Sequence, residues 1–237
     1  MEHSKPDRSG SVTPLVESHL SRDEHGTTLL CALVVTALLT TLGASLVVVV
    51  VGETLIGAHH RASQQGLYAA DAGVERAIGE LRRLSTWQGV PAPASSSAFA
   101  DFNDGALASA LADGTRLDLA QLTADRQAES DTFYPNTPNR PQWRLFGHAS
   151  LDRMVAGDAG SAPPYVVVWI ADDPDDLDGD PARDSNDIVI VRSQAFGVRA
   201  SRRSVEATIL RRSALDGAAG GGAIRSDVSV IAWREVR

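Results

Sequence analysis

The hydrophobic positions divide the chain into two regimes. From Thr27 to Val51, "TTLLCALVVTALLTTLGASLVVVVV", no side chain is charged and the run is apolar on every face of a helix. As a helix this stretch rises about 37 Å, enough to cross a hydrocarbon core of about 30 Å. The apolar region of a secretory signal spans only about 7–15 residues, so the run predicts a single-pass membrane segment. Past it the pattern changes rather than stops. No proline occurs between Glu53 and Leu84, and Leu67, Ala70, Val74, Ala77, Leu81 and Leu84 recur at spacings of 3, 4, 3, 4 and 3. That is the period of one helix face. Two readings fit: one helix over residues 27–84, roughly 87 Å long, or two helices broken near Gly52 or Gly57. The unbroken continuation favours the first.

After residue 85 the period falls from helical to alternating. "WRLFGHASLDR", "PYVVVWIADD", "DIVIVRSQAFGVR", "RRSVEATILRR" and "SDVSVIAWREVR" are rich in β-branched and aromatic residues and predict strands. In the fourth, Val205, Ala207 and Ile209 share one face while Glu206, Thr208 and Leu210 share the other. Gly197 to Arg203 predicts the turn before it, and "DGAAGGGAI" a linker after it. Short connections imply an antiparallel meander. A sheet with one apolar face must be covered, and the amphipathic part of the long helix is the available cover. The expected fold class is α+β, a ladle with a long N-terminal helix packed on an antiparallel β-sheet head. "VPAPASSSAFADFNDG" and "FYPNTPNRPQW" read as loops, and "GALASALADGTRLDLAQLTADRQAE" between them predicts one or two short helices. The expected organisation is a polar tail over residues 1–26, the long helix over 27–84, and a head over 85–237. Within the head, 85–144 is an irregular or helical insertion and 145–237 the sheet.

Composition narrows the function. The 237 residues carry a net charge of −8, which argues against a nucleic-acid groove and its basic stripe. Cys31 is the only cysteine, so no disulfide can form within the chain. Lys5, Arg8 and Arg22 precede the apolar run and lean towards a cytoplasmic N-terminus, with Arg61, Arg76, Arg82 and Arg83 weighing on the other side. No nucleophile elbow, P-loop or HExxH occurs, and a non-enzymatic protein is expected. His59 and His60 are adjacent on a helix and do not converge on one ligand. Trp87, Trp143, Trp169 and Trp233 are spaced as core or strand residues.

One segment carries candidate chemistry. "ADDPDDLDGDPARDSND", residues 171–187, holds eight aspartates between two predicted strands. Charges this dense repel unless solvated, screened or bound to a cation. Counted from Asp176, carboxylates fall at positions 1, 3, 5, 9 and 12: Asp176, Asp178, Asp180, Asp184 and Asp187. Ala182 stands at position 7, where a calcium loop of the EF-hand type uses a backbone carbonyl. Pro181 replaces the expected Gly at position 6, and Asp187 the expected Glu at position 12. With strands as flanks this is no EF-hand. It is either an EF-like Ca²⁺ loop on a β-hairpin or a solvated acidic loop. Mg²⁺ prefers fewer carboxylates and fits less well.

The junction "HG|TTLLCALVVTALLTTLG" resembles the end of a type IV prepilin leader. The following "ETLIGAHHRASQQGLYAADAGVERAIGELRR" resembles the PilX type of minor pilin, through Ala62, Tyr68, Ala69, Ala70, Asp71, Ala72, Gly73, Glu75 and Ala77. The "VRS-x-A" and terminal "W-R-E-V" elements are similar too. The resemblance implies cleavage by a prepilin peptidase between Gly26 and Thr27, methylation of the new N-terminus, and packing of the helix through Cys31, Leu67, Ala70, Val74, Ala77 and Leu81. It implies other minor and major pilins as partners, residence in the inner membrane with a periplasmic head before assembly, and then a cell-surface pilus. Two departures stand out. Major pilins have Glu at the fifth mature position, where this chain has Cys31, which suits a tip or initiation complex. His25 after "RDE" replaces the usual basic residue. K-type pseudopilins of type II secretion systems also lack that Glu and carry Ca²⁺ in the head, so they are an alternative. A membrane-anchored calcium-binding or adhesive module that never polymerises is another. Many pilin heads fasten a loop with a disulfide; here a bound ion would be the substitute.

Overall fold

The computed structural model describes residues 21–91, 108–111, 114–155, 162–197, 201–215 and 224–236. Residues 1–20 of the expected 1–26 leader, most of the first Pro/Ser-rich loop, and the glycine linker at 216–223 lie outside them. The chain divides into two units, Met1–Gly57 and Ala58–Arg237.

A single helix, α1, spans Ser21–Leu81. No break occurs at Gly52 or Gly57, which settles the choice between one helix and two. In the first unit every residue from Gly26 to Val51 is exposed, including the large apolar side chains. This part of α1 is long and apolar enough to cross a membrane. Its hydroxyls are turned inward: Thr36 and Thr40 each donate to the carbonyl four residues back, at 2.9 and 2.7 Å. Such back-bonding hides polar atoms from an apolar surrounding.

In the second unit the rest of α1 buries Ala69, Ala70, Val74, Ala77, Ile78 and Leu81, with Leu67 packed partly against them. The helix ends at Leu81, not at 84, and Leu84 is exposed. The physical reason is a cap from beyond the helix: the indole Nε1 of buried Trp87 donates to the Leu81 carbonyl at 3.1 Å. The same carbonyl also accepts from the Leu84 N–H at 3.2 Å, so this last-turn acceptor is satisfied from beyond the helix.

The head is built on an antiparallel meander of β3 (Arg144–Ser150), β4 (Tyr165–Asp172), β5 (Ile188–Phe196), β6 (Arg202–Leu215) and β7 (Ile224–Val236), adjacent in chain order. The short strands β1 (Ala108–Ala110) and β2 (Arg116–Asp118) pair apart from it. Helix α2 (Leu119–Phe133) follows β2, capped by the Asp118 carboxylate accepting from the Gln121 N–H at 2.9 Å. A one-turn helix, α3 (Leu151–Met154), follows β3.

Period-two alternation in β4 sorts the core. Val166, Val168 and Ile170 join the cluster that contains α1; Tyr165, Val167, Trp169 and Ala171 join a second cluster with Leu117, Leu119 and Trp143. Val205, Ala207 and Ile209 face the α1 cluster, as their spacing predicts. The second sheet face is covered as well, by α2. There Trp169 Nε1 donates to Thr123 Oγ1 at 2.8 Å, and Arg126 lies over the Trp169 ring and donates to Gln194. Trp87, Trp143 and Trp169 are core residues, but Trp233 is 50% exposed. It sits on β7, the edge strand, and its Nε1 donates to Asp71 on α1 at 3.1 Å.

Candidate functional site

The acidic segment is the loop joining β4 to β5. The hairpin register places Asp172 opposite Val189 at its mouth. Within the loop, short aspartates accept from backbone N–H groups two residues on. Asp176 accepts from Asp178, Asp178 from Asp180, Asp180 from Ala182 and Asp184 from Asn186, at 2.9–3.2 Å. These turns are the local habit of aspartate. Gly179, with φ of 70°, supplies the left-handed residue that the spacing argument sought at the position of Pro181. Asp187 also adopts positive φ, 64°.

Three carboxylates converge. Asp172, Asp176 and Asp184 each bring an oxygen to within 4.8 Å of the other two. All three are buried, at 0%, 2% and 1% exposure. Asp176 is held by Ser185, whose N–H donates to Oδ2 at 2.8 Å and whose hydroxyl donates to Oδ1 at 2.6 Å. Asp172 Oδ2 accepts from Asn139 Nδ2 at 2.6 Å. Asn139 is itself buried and also donates to the Asp173 carbonyl. Asp184 Oδ1 accepts from the N–H groups of Asn186 and Ile188. The other oxygens, Asp172 Oδ1 and Asp184 Oδ2, are buried without a hydrogen-bond partner, as is Asn139 Oδ1.

The electrostatics follow from this geometry. Burial, reinforced by the neighbouring Asp176 and Asp184 charges, pushes the Asp172 carboxyl up to about 7. Burial likewise pushes Asp184 up to about 6, against the pull of the Asp187, Ile188 and Asn186 amides. Burial also raises Asp176, but its bonds from Ser185 and from the Asp178 and Leu177 amides outweigh that and hold it below the usual range. No described ion pair reaches any of the three.

The set read from spacing and the set brought together by the fold overlap only in part. Asp176 and Asp184 are common to both. Asp178 and Asp180 are exposed and bond to the loop backbone. Ala182 donates its N–H to Asp180. Asp187 is committed elsewhere: its Oδ1 accepts from Arg211 Nε at 2.9 Å and from Arg211 Nη2. These four therefore lie outside the cluster, because successive aspartate turns spread the loop instead of wrapping it round one point. Asp172 and Asn139 were missing from the spacing argument. Asp172 reads there as the end of a strand. The available signal was its place at the end of an unbroken apolar strand, all of whose residues are buried. Asn139 comes from a distant loop and left no local trace.

The other predicted residues lie on α1. Gly26, Thr27 and Cys31 are exposed on the apolar part. Ala70, Val74, Ala77 and Leu81 are buried in the head. Gly73 is also required there. A Cβ on it would meet Ser193 Oγ at 2.2 Å and Val166 Cγ1 at 2.7 Å, so only glycine allows helix and sheet to approach this closely.

Residues 26–75 match the family described as PilX N-terminal. No curated protein and no solved structure matches the chain.

Proposed function

We propose that this chain, which carries the N-terminal region of a PilX-type minor pilin of type IV pilus assembly, acts in the tip or initiation complex of the filament. The family is structural rather than enzymatic, and the apolar helix fits membrane anchoring and association with pilus components. One observation supports anchoring and assembly. The apolar part of α1 exposes its large side chains on all faces, so it needs a surrounding of lipid or of other apolar helices. In sequence the same helix continues into the Gly73 motif that packs in the head. One segment therefore serves as anchor first and as polymerising element later.

Cys31 supports the placement. A Glu at that position in major pilins pairs with a neighbour's N-terminal amine; a cysteine leaves the pairing unmade. A subunit of this kind suits an end of the filament rather than its shaft. On this reading a prepilin peptidase cleaves after Gly26 and Thr27 becomes a methylated N-terminus. The head is periplasmic before assembly and displayed on the cell-surface pilus afterwards.

Intact-mass measurement of the membrane-purified chain, from cells with and without prepilin peptidase, tests this. The expected product begins at methylated Thr27 only when the peptidase is present. A chain that keeps its leader in peptidase-positive cells overturns the pilin reading. Deletion of the gene should lower the number of pili rather than their length; shortened pili in normal number would overturn the tip or initiation role.

A further inference from the structure

We propose that Asp172, Asp176 and Asp184 bind one calcium ion, with Asn139 beside them, and that this ion closes the β4–β5 loop. The site is independent of whether the chain polymerises. Its first support is convergence. Carboxylate oxygens within 4.8 Å of one another can share a single ion, because Ca²⁺–O bonds of about 2.3–2.6 Å span oxygens up to about 5 Å apart. Acidic residues crowd together on many surfaces, so convergence alone is not enough.

The second support is the state of the oxygens. Asp172 Oδ1 and Asp184 Oδ2 belong to side chains buried at 0% and 1% exposure and have no hydrogen-bond donor. Buried carboxylate oxygens are normally paired, and leaving them bare is costly. The nearby basic group does not answer them: Arg211 is bound to Asp187. Asn139 holds Asp172 through its amide N–H, and its own carbonyl oxygen is also buried and unpartnered. The unanswered atoms are thus three oxygens, anionic or amide, drawn from the loop, the end of β4 and the segment after α2.

The donor set selects the ion. It contains oxygen only, with no imidazole or thiolate, which disfavours zinc and copper. Three carboxylates, completed by water, suit the large and flexible shell of Ca²⁺. Mg²⁺ demands a smaller octahedron with bonds of about 2.0–2.1 Å. The ion would link segments that no disulfide can link in a chain with one cysteine. It would also answer the repulsion among the three aspartates.

The experiment uses the full chain in detergent, stripped with EGTA and titrated with CaCl₂ or MgCl₂ alone, read by calorimetry and by thermal unfolding. Ca²⁺ should bind at one ion per chain, with a Kd at or below about 10⁻⁴–10⁻³ M, and raise the melting temperature; Mg²⁺ should do neither at equal concentration. Asp172→Asn should abolish both effects, yet melt no lower than the wild type in EGTA, because it removes a buried charge without changing shape. Asp178→Asn with Asp180→Asn should bind Ca²⁺ within about threefold of the wild type, since those side chains lie outside the cluster. Absence of binding by the wild type overturns the site. So does Ca²⁺ binding that survives Asp172→Asn, or that is lost in the Asp178/Asp180 double variant.

Discussion

Gly73 on α1 lies against Ser193 on β5 so closely that a methyl group at Gly73 would stand 2.2 Å from the Ser193 hydroxyl oxygen. The contact fixes how near the helix comes to the sheet. Gly73→Ala should destabilise the head by about 1–3 kcal/mol through overpacking, less up to about 1 kcal/mol of improved helix propensity. Gly79→Ala is the control, because nothing lies within 4 Å of its Cβ position; it should be neutral or stabilising by up to about 1 kcal/mol. Urea unfolding of both variants in detergent measures the difference.

Trp87 has two separable roles, filling the core and capping α1 through the Leu81 carbonyl. Trp87→Phe keeps most of the packing and loses the bond, while the Leu81 carbonyl keeps the Leu84 N–H, at an expected cost of about 0.5–1.5 kcal/mol. Trp87→Ala also leaves a cavity and should cost about 3–5 kcal/mol. Equal unfolding midpoints for the two variants would show that packing contributes little at this site.

Arg211 fastens the exit of the acidic loop. It pairs with Asp187, donates to the Ser85 carbonyl and lies over the Trp87 ring. Arg211→Lys keeps the charge but loses the planar fork, so Lys and Ala should both lower stability, Ala the more, by about 1–3 kcal/mol. Asp187→Asn tolerates the left-handed backbone and should lose only the charged part. Chemical denaturation of the variants and of Arg211→Ala/Asp187→Asn together gives the coupling.

Without a cation, the head should become less stable as pH rises from about 4 to about 7. Asp172 and Asp184 are pushed up to about 7 and about 6, whereas an unfolded aspartate releases its proton near 3.9. Between those limits the folded chain holds protons that the unfolded chain has lost, so raising the pH favours unfolding. Asp176, shifted the other way, contributes only at lower pH. Melting temperatures in EGTA across this range check the slope; a flat or rising profile contradicts the burial assigned to Asp172.

The family resemblance, the continuous α1 and the five-stranded meander were all legible in the order of residues. Their signals are local: an uncharged run long enough for a bilayer, a 3–4 spacing from Leu67 to Leu81, and period-two alternation bounded by loop-forming stretches. The second covering helix was less visible. Its inward face includes Arg126 and Ser130, which read as solvent-facing until Trp169 and Gln194 are placed beneath them.

The acidic site divides along the same line. The sequence alone determined that the β4–β5 connection carries eight aspartates, whose charges repel unless solvated, screened or bound to a cation. Regular spacing suggested Asp176, Asp178, Asp180, Asp184 and Asp187 as one set. Spacing, however, describes neighbours along a chain, while a cation responds to neighbours in space. Aspartate's own turns carry Asp178 and Asp180 outward, and Arg211, from β6, takes Asp187. Asp172 is buried with the rest of β4, which is covered on both faces, and Asn139 reaches it from the segment after α2. Only the tertiary structure could decide which carboxylates meet, because that depends on burial and long-range packing that no local pattern encodes.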